Sequence, residues 1–264
     1  MQIFDSFNFR QFLKSPIYTQ EHIWGQEQHF VVSEKALLDY ENILKDTFYH
    51  HHSSFDYFDE IDQLGFSLCA RALRERNFGS PNDHKTQMAN LGEVFGIEFS
   101  RAFLGFSTTD VFPKRFNSNV DQSMKGTDII GLRADNETPE LLIGEAKSIK
   151  QYNTGSVKEA YNHLAKLHQK EATWLLRLYK EIANARDDKA LESNLDRHMA
   201  KNVQRHYLIM LITQSEHKTP FENIDTIYRD KPIPSLLAVH VRISNLLDVL
   251  PDGNKSWLSD VFEL

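Results

Sequence analysis

The stretch KGTDIIGLRADNETPELLIGEAK, residues 125–147, decides how this chain is read. Two apolar runs, TDIIGLR (127–133) and ELLIGEAKS (140–148), flank ADNETP, which is turn chemistry. Two short strands joined by a polar turn are expected. Side chains two apart on a strand share a face. Leu141, Ile143, Glu145 and Lys147 therefore point one way, and Leu142, Gly144, Ala146 and Ser148 the other. In a hairpin, the start of one strand lies beside the end of the next, so Asp128 is expected to approach Glu145.

An acid two residues before a lysine is a cheap pattern. It occurs four times, as Asp83–Lys85, Glu145–Lys147, Asp187–Lys189 and Glu216–Lys218. Only Glu145–Lys147 ends an apolar strand whose hairpin partner begins with an acid. Two carboxylates held together beside apolar strands repel and are costly. A hard divalent cation removes that cost. Mg²⁺, with Mn²⁺ as an alternative, takes one or two carboxylates and completes its shell with water and substrate phosphate. Lys147 would orient the attacking water and offset charge in the transition state of phosphodiester cleavage. The bland alternative is a surface ion pair between Lys147 and a neighbouring acid.

Composition bounds the class. The 264 residues, 41% of them apolar and 18 of them Phe, suffice for a large core. No apolar run reaches membrane-spanning length, and the N-terminus lacks a signal-peptide pattern. A single cysteine, Cys69, excludes an internal disulfide and a cysteine-cluster zinc site. A cytoplasmic protein without membrane contact is expected. The net charge of −7 is unevenly spread: residues 141–215 carry a net of +4, and residues 1–60 a net of −6. The basic middle permits a phosphate-binding face, and ordinary solvated helix charge explains it equally well.

Along the chain, residues 1–30 show no period. Helices are expected over 34–49, with Ser33 as N-cap, over 59–77, and from Asn82 or Asp83 through Met88, Leu91 and Phe95 to about Phe99. A loose strand is expected over 102–112. Residues 156–202 read as helical, with a break near Asp187–Asp188, and 205–213 and 235–243 as buried strands. The order implies an α/β fold, a mixed central sheet flanked by helices. Residues 1–80 form a partly helical extension and 81–264 a core with a helical insertion at about 156–202. The run His50–His52 reads as an exposed loop with adventitious metal affinity. His163, His168, His198 and His206 lie in the basic middle, where surface positions are the rule. Tyr152 and Tyr161 are candidates for stacking on nucleic acid, with core packing as the alternative for Tyr161. No Gly-rich phosphate loop is present, so ATP hydrolysis would fall to a partner.

The motifs GTD at 126–128 and EAK at 145–147, with sixteen residues between the acids, resemble the PD-(D/E)xK nuclease superfamily. Thr127 stands where the superfamily name has Pro. LGEVFG at 91–96 is similar to the acidic helix that often precedes that core, which makes Glu93 a further metal ligand or water holder. The longer combination of LGEVFG, KGTDIIG and LLIGEAKS with a helical insertion resembles the HamA-type nuclease subunit of Hachiman anti-phage defence systems and the related AbpA-type proteins. It implies a DNA nuclease whose activity is held in check by a HamB-type helicase; the helicase rests on resemblance alone. The expected site is thus Asp128, Glu145, Lys147 and Glu93, with the Ala146 carbonyl as an added ligand. The rival readings are a catalytically silent nuclease-fold scaffold that binds a partner or nucleic acid, and an RNase or junction resolvase. The acidic N-terminus with Phe4, Phe7, Phe9, Phe12 and Trp24 reads as a docking surface, or as a segment folded back onto the core.

Overall fold

The computed structural model describes residues 5–52, 84–107, 127–133, 140–169, 180, 184, 189–198, 203–217 and 219–244. Its frame is a six-stranded sheet: β1 (Tyr18–His22), β2 (Gly25–Val32), β3 (Ile129–Arg133), β4 (Glu140–Ile149), β5 (Gln204–Thr213) and β6 (Leu236–Ile243). The spatial order is β1-β2-β6-β5-β4-β3. The inner four strands, β2, β6, β5 and β4, run parallel, and the hairpin partners β1 and β3 close the two edges antiparallel. The fold is α/β with a mixed central sheet, as the alternation of apolar strands and helical stretches implies.

Two helical layers cover the sheet. On one face lie α1 (Ser6–Leu13), α2 (Glu34–Asp39), α3 (Glu41–His52) and α4 (His84–Ala102). Leu91, Phe95 and Phe99 of α4 belong to the same core as Leu142, Ala146, Leu208 and Met210 of the sheet. On the other face, Val157, Ala160, Tyr161 and Leu164 of α5 (Thr154–Gln169) join Leu141, Ile143, Ile209 and Leu211. Two short helices, α6 (Lys189–His198) and α7 (Ile224–Asp230), complete the described elements. Each buried Leu, Ile or Phe contributes roughly 1.5–3 kcal/mol, so the two layers together dominate the stability. Local chemistry sets the helix starts: Ser33 Oγ accepts the Ala36 N–H at 3.2 Å, and Asn153 Oδ1 the Ser156 N–H at 3.0 Å. No helix among the described residues is long and apolar enough to cross a membrane.

Several expectations require correction. Residues 1–30, read as irregular, contain α1 and two strands, and β2 is inserted beside β6 in the same sheet as the motif strands. Of the two readings of the N-terminal aromatics, folding back onto the core holds for Phe9, Phe12 and Trp24, which are buried; Phe9 and Phe12 each meet the Phe95 ring edge-on at 5.9 Å. Of that set only Phe7 is exposed, and Phe4 lies outside the described residues. The histidine run ends α3 instead of forming a loop, and His51 is buried with its Nε2 2.7 Å from Glu98 Oε1. The helix over 34–49 is split at Tyr40 into α2 and α3. Residues 59–77, Asn82, Asp83, 108–112 and the break near Asp187–Asp188 lie outside the described residues. Tyr161 is a core residue whose hydroxyl donates to the Lys231 carbonyl at 2.7 Å. Tyr152 is half-buried and donates to the Pro220 carbonyl, also at 2.7 Å.

The turn between β1 and β2 ends on Gly25 at φ +144°, where an added Cβ would lie 1.8 Å from the Leu236 carbonyl oxygen. Leu236 stands between Gly25 of β2 and Tyr207 of β5 in the sheet register, so its backbone is held from both sides. Gly25→Ala is expected to cost at least about 2 kcal/mol. Gly105→Ala, also at positive φ but facing open space apart from Arg133, should cost only about 1–2 kcal/mol. Urea unfolding of the two variants against wild type measures the contrast.

Candidate active site

Strand β4 carries the site. Ile129 pairs with Gly144, so Asp128 at the entrance of β3 lies across from Glu145. The Ala146 N–H donates to Asp128 Oδ2 at 2.8 Å and anchors that carboxylate to β4. Two residues beyond Glu145 on the same face, the Lys147 ammonium donates to Glu145 Oε1 at 3.1 Å. The other Glu145 oxygen, Oε2, accepts from Nδ1 of His163 on α5 at 2.6 Å. Glu145 is 6% exposed, Asp128 and Lys147 are half-buried, and Glu159 on α5 reaches within 3.9 Å of Lys147 from a solvated position.

Glu93 arrives from the opposite layer. Helix α4 crosses β4 so closely that a Cβ on Gly92 would meet the Ala146 Cβ at 3.3 Å and the Ser148 Cβ at 3.4 Å. A Cβ on Gly96 would come within 2.2 Å of Ile129 Cδ1. The two glycines of LGEVFG, one turn apart, allow this approach and bring Glu93, next to Gly92, to the β3–β4 opening. Its negative charge is felt at Asp128.

The electrostatics show three acids competing for one place. Burial pushes the Asp128 carboxyl well above its ordinary value, and the charges of Glu93 and then Glu145 push it further. The Ala146 hydrogen bond and Lys147 pull it back only in part. For Lys147, burial works against the charge, but Glu145, with smaller help from Glu159 and Asp128, outweighs it and the pKa lies above the lysine norm. The hydrogen bond to Glu145 is the main reason that the His163 pKa is raised, against an opposing effect of burial. Lys147 and His163 thus both balance Glu145, while Asp128 is left with excess negative charge around it.

The structure therefore gathers Asp128, Glu145, Lys147 and Glu93 around the β3–β4 end, with the Ala146 peptide between the first two. Among the described residues no three His, Cys, Asp or Glu side chains form a ready metal cage. A Mg²⁺ site needs less than that, one or two carboxylates with water and phosphate. The donor set is all hard oxygen, and the raised Asp128 pKa marks uncompensated charge that a cation would relieve, so the residues fit such an ion. His163 was missed as a partner of Glu145. The available signal was its spacing, four residues after Glu159 on a helix beside Ala160 and Leu164 of the buried stripe.

An α/β sheet with a carboxylate–lysine cluster at the end of an edge hairpin is the class that fold and site define. Residues 13–243 match the family model described as HamA, and the chain belongs to the HamA family. The chain is also similar to the Hachiman protein HamA of Bacillus cereus, with 38% identity over 80 residues. That match covers 30% of this chain and 28% of the relative, so it spans little more than a quarter of the relative's length.

A carboxyl whose folded-state pKa is raised binds its proton more tightly folded than unfolded. Between the unfolded value, about 3.9, and the raised one, stability falls as pH rises. Without divalent ions, Asp128→Asn should therefore gain stability over wild type as pH rises from about 4 to neutral, since Asn can still accept from Ala146. Thermal unfolding in EDTA over that range checks this. Mn²⁺ should narrow the neutral-pH gap by stabilising wild type alone.

Proposed function

We propose that this chain is a metal-dependent DNA nuclease of a Hachiman anti-phage defence system and cleaves phosphodiester bonds by two-carboxylate and lysine chemistry. The observation that carries the reading is the pairing of Lys147 with Glu145 directly across from Asp128, whose carboxyl is crowded by two further acids. The HamA family membership and the name of the Bacillus cereus relative support the defence role.

Asp128, Glu145 and the Ala146 carbonyl would hold Mg²⁺ or Mn²⁺, with Glu93 as a further ligand or water holder. When bound, the ion supplies Lewis-acid stabilisation of the phosphoryl oxygen and lowers the pKa of water. The chain's own work is positional. The Ala146 N–H keeps Asp128 turned to the opening. Lys147 stays charged, orients the attacking water and counters the negative charge that grows on the phosphoryl group. The resemblance to HamA-type subunits extends the proposal to a HamB-type helicase that restrains the nuclease until it engages DNA.

The test is incubation of plasmid, linear DNA and RNA with the purified chain in Mg²⁺ or EDTA, alone and with the helicase encoded beside it, with and without ATP. Cleavage of DNA in Mg²⁺ and none in EDTA is expected. Glu145→Ala and Lys147→Ala should each lower the rate by at least about 10²–10³-fold while preserving the fold. Wild-type rates in either variant would refute the mechanism. RNA cleavage alone would replace DNA as substrate, and no cleavage under any condition would leave a nuclease-fold scaffold. The regulatory part fails if the helicase does not co-purify, or if cleavage is equally fast with and without helicase and ATP.

A further inference from the structure

Glu145 is held from two directions. Lys147, on its own strand, takes Oε1, and His163, from the helical layer above, takes Oε2. Lys147 follows from the motif spacing; His163 does not. Helix α5 lies against β4 through Val157, Ala160, Tyr161 and Leu164, all buried. Glu159 and His163 flank that stripe one helical turn apart and so meet the same patch of strand. Glu159 approaches Lys147 at 3.9 Å while His163 bonds Glu145, and α5 thereby grips both members of the pair.

A carboxylate has about four lone-pair positions, and two donors leave acceptor capacity on each oxygen. A side chain with several rotatable bonds would otherwise turn toward the ammonium beside it. A charge-assisted bond at 2.6 Å from a rigid ring on a packed helix removes that freedom. Carboxylates that ligate metals depend on such outer partners for their orientation.

On these grounds we propose that His163 is a positioning residue: its Nδ1–H, donated to Glu145 Oε2, presents the remaining lone pairs of Glu145 to a divalent cation shared with Asp128. The proposal rests on the nuclease reading. Its opposite is that the His163 bond competes with the metal and must break before binding. The two differ in the sign of a binding measurement.

That measurement is isothermal titration of the full chain with Mn²⁺, without nucleic acid, for wild type, His163→Ala, His163→Asn and Asp128→Asn, each checked for folding by circular dichroism. His163→Ala should weaken the Asp128-dependent binding by about 10–100-fold. His163→Asn, whose side-chain amide can offer a donor where Nδ1 stood, should restore most of it. A merely structural role would not be rescued by the amide. His163→Leu, similar in bulk and without a donor, takes the place of the alanine variant if that variant unfolds. Equal or tighter binding without the donor overturns the proposal, as does equal weakness with and without the amide. Binding that is absent in wild type, or unchanged by Asp128→Asn, overturns the nuclease reading and the proposal together.

Discussion

A carboxylate kept almost out of solvent, in a strand packed on both faces, is the constraint around which the rest is arranged. Glu145 has Leu141 and Ile143 behind it on its own face, and the buried Ala160 and Leu164 belong to the helix above that face. A charge there must be matched or neutralised. The fold supplies one cation on the strand itself and one histidine from α5. Asp128 receives a backbone N–H and only a minor share of the Lys147 charge, and faces two acids besides. The apolar layers provide stability enough to carry this local imbalance, which on the proposed reading a divalent ion would offset.

The geometry also shows why the glycines of the motif matter without touching chemistry. Gly92 and Gly96 let α4 rest so closely on β3 and β4 that an added Cβ would lie 3.3 Å from the Ala146 Cβ at the first and 2.2 Å from Ile129 Cδ1 at the second. Gly144, whose Cβ would lie 2.9 Å from the Ile129 Cβ, lets the two strands of the hairpin approach with that large side chain between them. Acid placement in this site is therefore a matter of how closely three elements can come together. Residues that would otherwise read as filler set that closeness.

The motif hairpin was legible in the sequence because alternation, turn residues and the acid–x–lysine end all occur within twenty-three residues. Strands β5 and β6 were legible as continuous apolar runs such as YLIMLIT. The N-terminal hairpin was not. Strand β1 is YTQEH, exposed along nearly its whole length, and β2 begins GQEQH, so neither shows an apolar period. What makes β2 a strand is its pairing with β6, about two hundred residues later, which no local signal can express. The aromatics near it were visible, but their direction was not: Phe9 and Phe12 turn inward because α1 packs on α4. For His163 the spacing beside the buried stripe of α5 placed it at the layer boundary, but no spacing rule between helix and strand could name Glu145 as its partner. Asp128, Glu145 and Lys147 stood out because a single hairpin relates them.

Strand β6 lies between β2 and β5, and this order has a consequence in time. While the chain is being made, the motif hairpin and β5 emerge before residues 236–243, and β2 then has only its short hairpin partner beside it. Pairings of such long sequence separation form late. The sheet that supports the acidic cluster cannot be joined across its middle until nearly the whole of the described chain has left the ribosome. On the proposed nuclease reading, a growing polypeptide of this kind would cleave poorly however complete its motif. Among the described residues, the interleaving of early and late strands ties assembly of the sheet under the acidic cluster to synthesis of residues 236–243, on the proposed reading a delay of benefit to a cell whose own DNA is a potential substrate.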